Sequence, residues 1–199
     1  VGKAKGAHAV SQEEINRLIV AEARAGQRVV RLKSGDPLIF GRASEEIAAL
    51  RSAGVSFDIV PGITAAFAAA AAAEIPLTCR DTSSALIFAT GQDADGKTLP
   101  GWAGLALAGA TVAVYMGRTV AAAVADRLLE AGMKASTPVA VIENASRADA
   151  RAYGGRLDEL ARIADRDDLT GPVLIIVGEV VAQGNIAGEP ATLSELMVA

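Results

Sequence analysis

The chain has 199 residues, enough for one large or two small domains, and a chain this long buries about three quarters of its extended surface on folding. Hydrophobic residues make up 51% of it but aromatic residues only 4%, so its core is built mainly from Ala, Val, Ile and Leu, which argues for layered α/β structure and against an all-β fold. A net charge of −4 disfavours non-specific nucleic-acid binding, and the single cysteine, Cys79, excludes an internal disulfide.

Reading from the start, VGKAKG has the form of a strand end followed by a turn, so further sequence is expected upstream of Val1. Ser11 and Glu14 make a capping box, and Ile15, Leu18 and Ile19 recur at helical spacing, which predicts a helix over 11–25 closed by Gly26. RVVRLK (28–33) has the length and β-branched content of a strand. Ala43, Ile47 and Leu50 form the next helical face, ending at Gly54, and VSFDIV (55–60) is a second strand. Pro61-Gly62 stops it, and ITAAFAAAAAA is a strong helix former. This alternation implies parallel strands joined by helices.

EIPLTCRDTSS breaks the alternation and carries Pro76, which places a domain junction near residues 76 to 84: an N-terminal α/β domain over 1–78 and a C-terminal one over 79–199. SALIFAT and ATVAVYM follow as strands around the polar loop QDADGKTLPGWAG. Residues 119–131 form a helix on Val120, Val124 and Leu128, PVAVIEN a strand, LDELARIA a short helix, and PVLIIVGEVV a buried strand. The longest apolar run, around ITAAFAAAAAAEIP, is too short and alanine-rich to span a bilayer, and no Cys/His cluster has metal-ligand spacing, so a metal-free protein of the reducing cytoplasm is expected, away from membranes.

Ser34-Gly35-Asp36-Pro37 interrupts the chain directly after the first predicted strand. Ligands of open α/β sheets bind at carboxyl ends of strands, and a glycine there lets them approach the backbone. Asp36 would repel phosphate and suits a ligand bearing hydroxyls, an ammonium or a sulfonium. The same Gly-Asp-Pro is also an ordinary turn in which Asp36 bonds its own backbone.

GKAKGAHAVSQEEIN, RLKSGDPLIFGRASEE, VPGITAAFAAAAAAEIPLTCRD, VAVYMG, PVAVIEN and PVLIIVGEVV occur in that order, and together they resemble the S-adenosylmethionine-dependent uroporphyrinogen-III C-methyltransferases of the tetrapyrrole methylase group over nearly the whole chain. The resemblance implies a two-domain tetrapyrrole methylase fold, with a parallel-sheet N-terminal domain (truncated) and a mixed-sheet C-terminal domain. It implies a homodimer binding S-adenosylmethionine between its domains, released as S-adenosylhomocysteine, and methylation of uroporphyrinogen III at C2 and C7 to precorrin-2 for sirohaem or cobalamin synthesis. Carried over by motif, the cofactor positions are Ser34, Gly35, Asp36, Ile39, Thr64, Ala65, Met116 and Ala145, with Pro172 and Val173 nearby. Lys3 matches a proposed proton donor, Arg42 and Glu45 complete the catalytic set, and Arg80 and Met116 match substrate positions; Arg118 is a further candidate clamp for carboxylates. The family's glycine-rich GxGPGD loop and YDxLV aspartate are expected upstream of Val1. Ser34 stands where the family has glycine, as does Ala145. A later precorrin methylase and a non-catalytic cofactor-binding remnant remain the alternatives.

Overall fold

The computed structural model describes residues 10–91, 102–106, 109–186 and 191–192. Packing divides the chain into two compact units, Val1–Thr64 and Ala65–Ala199. The division falls upstream of the linker composition at residues 76 to 84.

The first unit is organised by two helices, α1 (Gln12–Arg24) and α2 (Ala43–Ser52). Ser11 starts α1 as predicted, its hydroxyl accepting the Glu14 N–H at 3.1 Å. Only half of the capping box forms, because the Glu14 carboxylate pairs with Arg17 at 2.8 Å instead of turning back to the cap. Gly26 and Gly54 both take left-handed backbone just past their helices, where a Cβ would be strained. The buried face of α2 centres on Ala43 and on a charged residue, Glu46, only 6% exposed. Glu46 accepts from Gln12 of α1 at 3.1 Å, from Arg31 at 3.1 Å and from Lys33 at 3.0 Å. A carboxylate out of water thus finds three donors and ties α1, α2 and the 28–33 segment together.

The two strands expected in this unit are absent from the described residues: 28–33 and 55–60 join no sheet. Burial still alternates, Arg31 and Lys33 lying inward of Leu32, and Val55 and Phe57 inward of Ser56 and Asp58. β-Branched content prepares a chain for a ladder, but a strand exists only where another strand pairs with it. Val30, Leu32 and Val60 are 78%, 85% and 79% exposed.

In the second unit a six-stranded sheet is covered on both faces. Its strands are β1 (Leu86–Thr90), β2 (Thr111–Tyr115), β3 (Pro138–Glu143), β4 (Arg151–Arg156), β5 (Val173–Val177) and β6 (Ala191–Thr192), in the order β1-β2-β5-β3-β4-β6. β1 and β2 are parallel and every other pair is antiparallel, so the sheet is mixed, as the resemblance implies. The helices are α3 (Ala65–Ala72), α4 (Ala103–Ala106), α5 (Ala121–Glu130) and α6 (Leu160–Ala164). Val112, Val114, Val139, Val141, Ile175 and Val177 meet α5 and α6 on one face. Ala113, Ala140, Ile142, Leu174 and Ile176 meet the alanines of α3 on the other. Small side chains on both sides suit a core almost without aromatic rings.

Two elements depart from expectation. PVLIIVGEVV is strand only to Val177; Gly178, at φ 143°, ends it and a 3-10 turn follows over Glu179–Gln183. RAYGGR (151–156), which carries no strand signal, is β4. Its Gly155 is required by packing, since a Cβ there would lie 2.4 Å from Ile163 Cδ1 on α6. The predicted loop QDADGKTLPGWAG falls largely on residues outside those described.

Burial opposes the charged form of Glu46, but the hydrogen bonds from Lys33 and Gln12 and the charges of Lys33 and Arg31 outweigh it and hold its carboxyl below the ordinary 4.5. A depressed carboxyl contributes stability above its unfolded pKa and loses it as pH falls through the folded one. Glu46→Gln, which leaves two cations facing a neutral amide, is expected to cost ~3 kcal/mol at pH 7 in urea unfolding. The deficit relative to wild type should shrink once the pH drops below the ordinary 4.5; a deficit constant down to strong acid would show that the charge of Glu46 is not what stabilises this unit.

Candidate active site

In the first unit the Ser34–Asp36 turn is built by backbone approach. Gly35 is left-handed at φ 67°, and a Cβ on Gly62 would lie 2.3 Å from the Gly35 carbonyl oxygen. Ser34 itself is not left-handed, so serine in place of the family's glycine carries no such strain here. Asp36 does two jobs. Its Oδ1 accepts the Leu38 N–H at 2.8 Å, the local turn bond, and its Oδ2 accepts the Gly62 N–H at 3.1 Å across 26 residues. Ile39 is drawn in by its N–H to the Asp36 carbonyl at 3.3 Å. Each Asp36 oxygen retains acceptor capacity beyond these bonds.

Lys33 anchors this turn from behind: its Nζ donates to Glu46 and to the Gly41 carbonyl. Phe40 and Arg42 are both left-handed, at φ 49° and 54°. Arg42 forks onto Glu45 with bonds of 2.6 and 2.8 Å, and about half of each side chain is exposed. Thr64, the last residue of this unit, is buried. Lys3 lies outside the described residues.

In the second unit strand direction brings the remaining positions together. β2 and β3 both run antiparallel to β5, and β1 runs parallel to β2, so β1, β2 and β3 end on the same edge, where β4 and β5 begin. Met116 directly follows β2, Ala145 lies two residues beyond β3, and Pro172 and Val173 enter β5: all four share that edge. Backbone there turns sharply, with Met116, Asn144 and Ser146 at φ 53°, 52° and 66°. The start of α3 belongs to the same edge, because the Ala66 N–H donates to the Tyr115 hydroxyl at 3.1 Å, which places Ala65 beside it. Close approach recurs here too: a Cβ on Gly91 would be 2.6 Å from Gly117 Cα.

Two sequence candidates stand elsewhere. Arg80 is exposed in the tight Cys79–Ser83 turn, and Ser83 Oγ lies 2.9 Å from Thr111 Oγ1, at the first residue of β2. This is the opposite end of the strands from Met116 and Ala145. Arg118 donates to the carbonyls of Ala164 and Arg166 at 3.3 and 3.4 Å, satisfying the end of α6.

Sequence reasoning missed Glu143. Its carboxylate is fully buried and accepts the Thr170 N–H at 2.5 Å, the Gly171 N–H, and Arg151 Nε and Nη2 at 3.0 and 2.6 Å. The only signal was a charge closing an apolar strand, PVAVIE.

The family described as tetrapyrrole (corrin/porphyrin) methylases matches residues 1–161. The chain belongs to this family. Siroheme synthase 1 of Serratia proteamaculans is 50% identical over 184 residues, covering 91% of this chain and 38% of that protein. The chain therefore spans well under half the length of such curated relatives. Among solved structures, uroporphyrin-III C-methyl transferase from Thermus thermophilus in complex with S-adenosyl homocysteine superposes with TM-score 0.74 at 36% identity, over 86% of this chain and 75% of that one. Cobalt precorrin-4 methyltransferase gives TM-score 0.78 at 28% identity, over 87% and 73%. The tetrapyrrole methylase fold expected from the motifs is thus the fold of this chain, with its mixed sheet in the second unit.

Gly62→Ala should displace the Asp36 turn, because backbone rather than a flexible side chain meets the new methyl; a loss of ~1–3 kcal/mol is expected. Gly104→Ala in α4, with nothing within 4 Å, serves as its control and should be neutral or slightly stabilising. Equal unfolding midpoints for the two variants would mean that the Gly35–Gly62 approach constrains nothing.

Proposed function

We propose that the protein is an S-adenosylmethionine-dependent C-methyltransferase that converts uroporphyrinogen III to precorrin-2 by methylation at C2 and C7, on the way to sirohaem or cobalamin. The observation that carries this reading is the convergence of Met116, Ala145 and Ala65, positions that the resemblance gives to the cofactor, on one sheet edge, with Pro172 nearby. Family membership supplies the methyl-transfer chemistry, and the relatives of known name support the tetrapyrrole substrate. Homodimerisation and cytoplasmic residence belong to the same reading; they rest on the resemblance and on the single cysteine.

The residues present fit such a cofactor. Ser34, Gly35 and Gly62 are exposed at the Ser34–Asp36 turn, and Asp36 keeps acceptor capacity for a hydroxyl or an ammonium. The positions that the resemblance gives to the cofactor are Ser34, Gly35, Asp36, Ile39 and Thr64 in the first unit and Ala65, Met116 and Ala145 in the second. When bound, S-adenosylmethionine presents a methyl on a sulfonium; the new C–C bond takes pyrrole π electrons, the C–S pair stays on sulfur, and the ring then loses a proton. The chain's task is alignment, holding the donor and the ring carbon in line.

Arg42 holds the substrate's carboxylates. Its fork is occupied by Glu45, but an exposed pair of this kind is worth only ~0–1 kcal/mol, so a propionate or acetate group can displace Glu45 at little cost. Arg42→Ala is expected to raise KM for the tetrapyrrole roughly tenfold, the loss of one charge-assisted fork, with cofactor affinity unchanged. An unaltered KM would remove Arg42 from the substrate site.

Isothermal titration with S-adenosylhomocysteine should give a saturable signal that weakens at least about tenfold in Asp36→Ala, as expected for loss of a charge-assisted acceptor. Product mass then decides the target: two added methyl groups on uroporphyrinogen III support the reading. A second reading, methylation of a later precorrin, draws on the TM-score of 0.78 to cobalt precorrin-4 methyltransferase. It predicts no turnover of uroporphyrinogen III and a single methyl added to a precorrin.

A further inference from the structure

We infer that Glu143 is a positioning residue for the cofactor, acting through Asn144 and the 170–173 segment; this rests on the cofactor reading above. The hydrogen bonds of the Glu143 side chain go to Thr170, Gly171 and Arg151, and they join the segment that leads into Ala145 to the one that leads into Pro172 and Val173. One oxygen, Oε1, receives the backbone N–H groups of Thr170 and Gly171, the turn entering Pro172 and Val173. The other, Oε2, receives both Nε and Nη2 of Arg151, the first residue of β4. Arg151 reaches on to Asp168, which also accepts the Tyr153 hydroxyl at 3.0 Å and Arg166 at 2.9 Å. The turn over 165–171 is thereby fastened to the edge of the sheet by a carboxylate with no exposed surface.

Asn144 transmits this fixation. Its N–H donates to the Pro172 carbonyl at 3.0 Å, its carbonyl accepts from Arg147 at 2.9 Å, and its Nδ2 donates to Asp149 at 2.8 Å. Its Oδ1 is buried with no hydrogen-bond partner among the described residues. The amide lies against Gly171, where an added Cβ would come within 2.1 Å of Oδ1. Asparagine takes left-handed backbone more readily than most residues, but an unpaired buried acceptor is unfavourable and persists only because the surroundings hold it in place. The surroundings are the bonds of Asn144 to Pro172, Arg147 and Asp149, and behind them the four bonds by which Glu143 fixes the 170–171 turn that leads into Pro172. Their effect is to present Ala145 and Pro172 side by side on the edge that also bears Met116.

Burial works against the charge on Glu143, but the Gly171 amide, Arg151 and the Thr170 amide outweigh it, so its carboxyl stays below the ordinary range and ionised near neutrality. In Glu143→Gln one oxygen becomes an NH2 donor facing donors, either the two amides or the guanidinium, and one arm of the clamp opens.

The test compares S-adenosylhomocysteine titration and steady-state methylation in wild type, Glu143→Gln and Gly171→Ala, all well below their unfolding midpoints. Glu143→Gln should raise Kd for S-adenosylhomocysteine and KM for S-adenosylmethionine by roughly tenfold or more, the usual scale for loss of an outer supporting contact. At saturating cofactor, kcat and the tetrapyrrole KM should stay within about twofold, a split that general loosening of the fold would not produce. Gly171→Ala pushes on the Asn144 amide without touching a charge, and should reproduce the same split; it decides the matter if Glu143→Gln does not fold. Wild type that binds while both folded variants bind equally well overturns this inference alone. Wild type that gives no heat overturns the cofactor reading and this inference with it.

Discussion

A carboxylate taken out of water must recover its lost hydration from fixed donors, and each unit of this protein contains one that does. Glu46 takes three side-chain donors and Glu143 two amides and a guanidinium. Neither pair is an efficient source of stability, since burying ions costs nearly what their attraction returns. Their value lies in geometry. Lys33, held by Glu46, immediately precedes Ser34–Asp36; Gly171, held by Glu143, immediately precedes Pro172. In each unit a turn stands one residue away from a buried ionic anchor: the Ser34–Asp36 turn in the first and the entry to β5 in the second.

The same logic explains why left-handed residues crowd these places. Phe40, Arg42, Met116, Asn144 and Ser146 adopt backbone that an unconstrained chain gives mainly to glycine. Such conformations are paid for elsewhere in the fold and mark segments whose shape is specified by their neighbours rather than by propensity. Glycines do the complementary work. Gly62 and Gly91 permit backbone to come so near another turn that a single methyl would be refused.

Much of the second unit is legible from periodicity. β1, β2, β3 and α5 are found where apolar pattern and turn residues predict them, because each buries that pattern against the sheet or its cover. β4 is illegible for a reason that only the packed molecule reveals: Gly155 is small to admit Ile163, and the strand signal is given up for that contact. Asp36 shows a different limit. The alternative of a local turn bond against a wider role cannot be resolved from four residues, and the structure makes both, one oxygen for Leu38 and one for Gly62. Glu143 was invisible because four of its bonds come from residues 8 to 28 positions away.

The segments 28–33 and 55–60 show how sequence preference and realised structure separate. Both have strand composition, and both keep a strand's inward and outward alternation over part of their length, at 30–33 and 55–58. What they lack among the described residues is a ladder, and Val30, Leu32 and Val60 stand exposed along them. Inward positions explain why they nevertheless hold their course. Arg31 and Lys33 are fixed by Glu46, and Phe57 lies under Arg51, whose guanidinium carbon is 5.9 Å from the ring centroid. Side chains reaching back to α2 therefore do here what ladder hydrogen bonds do in the second unit, and they deliver both segments to the one point, Asp36 on Gly62, on which the proposed chemistry depends.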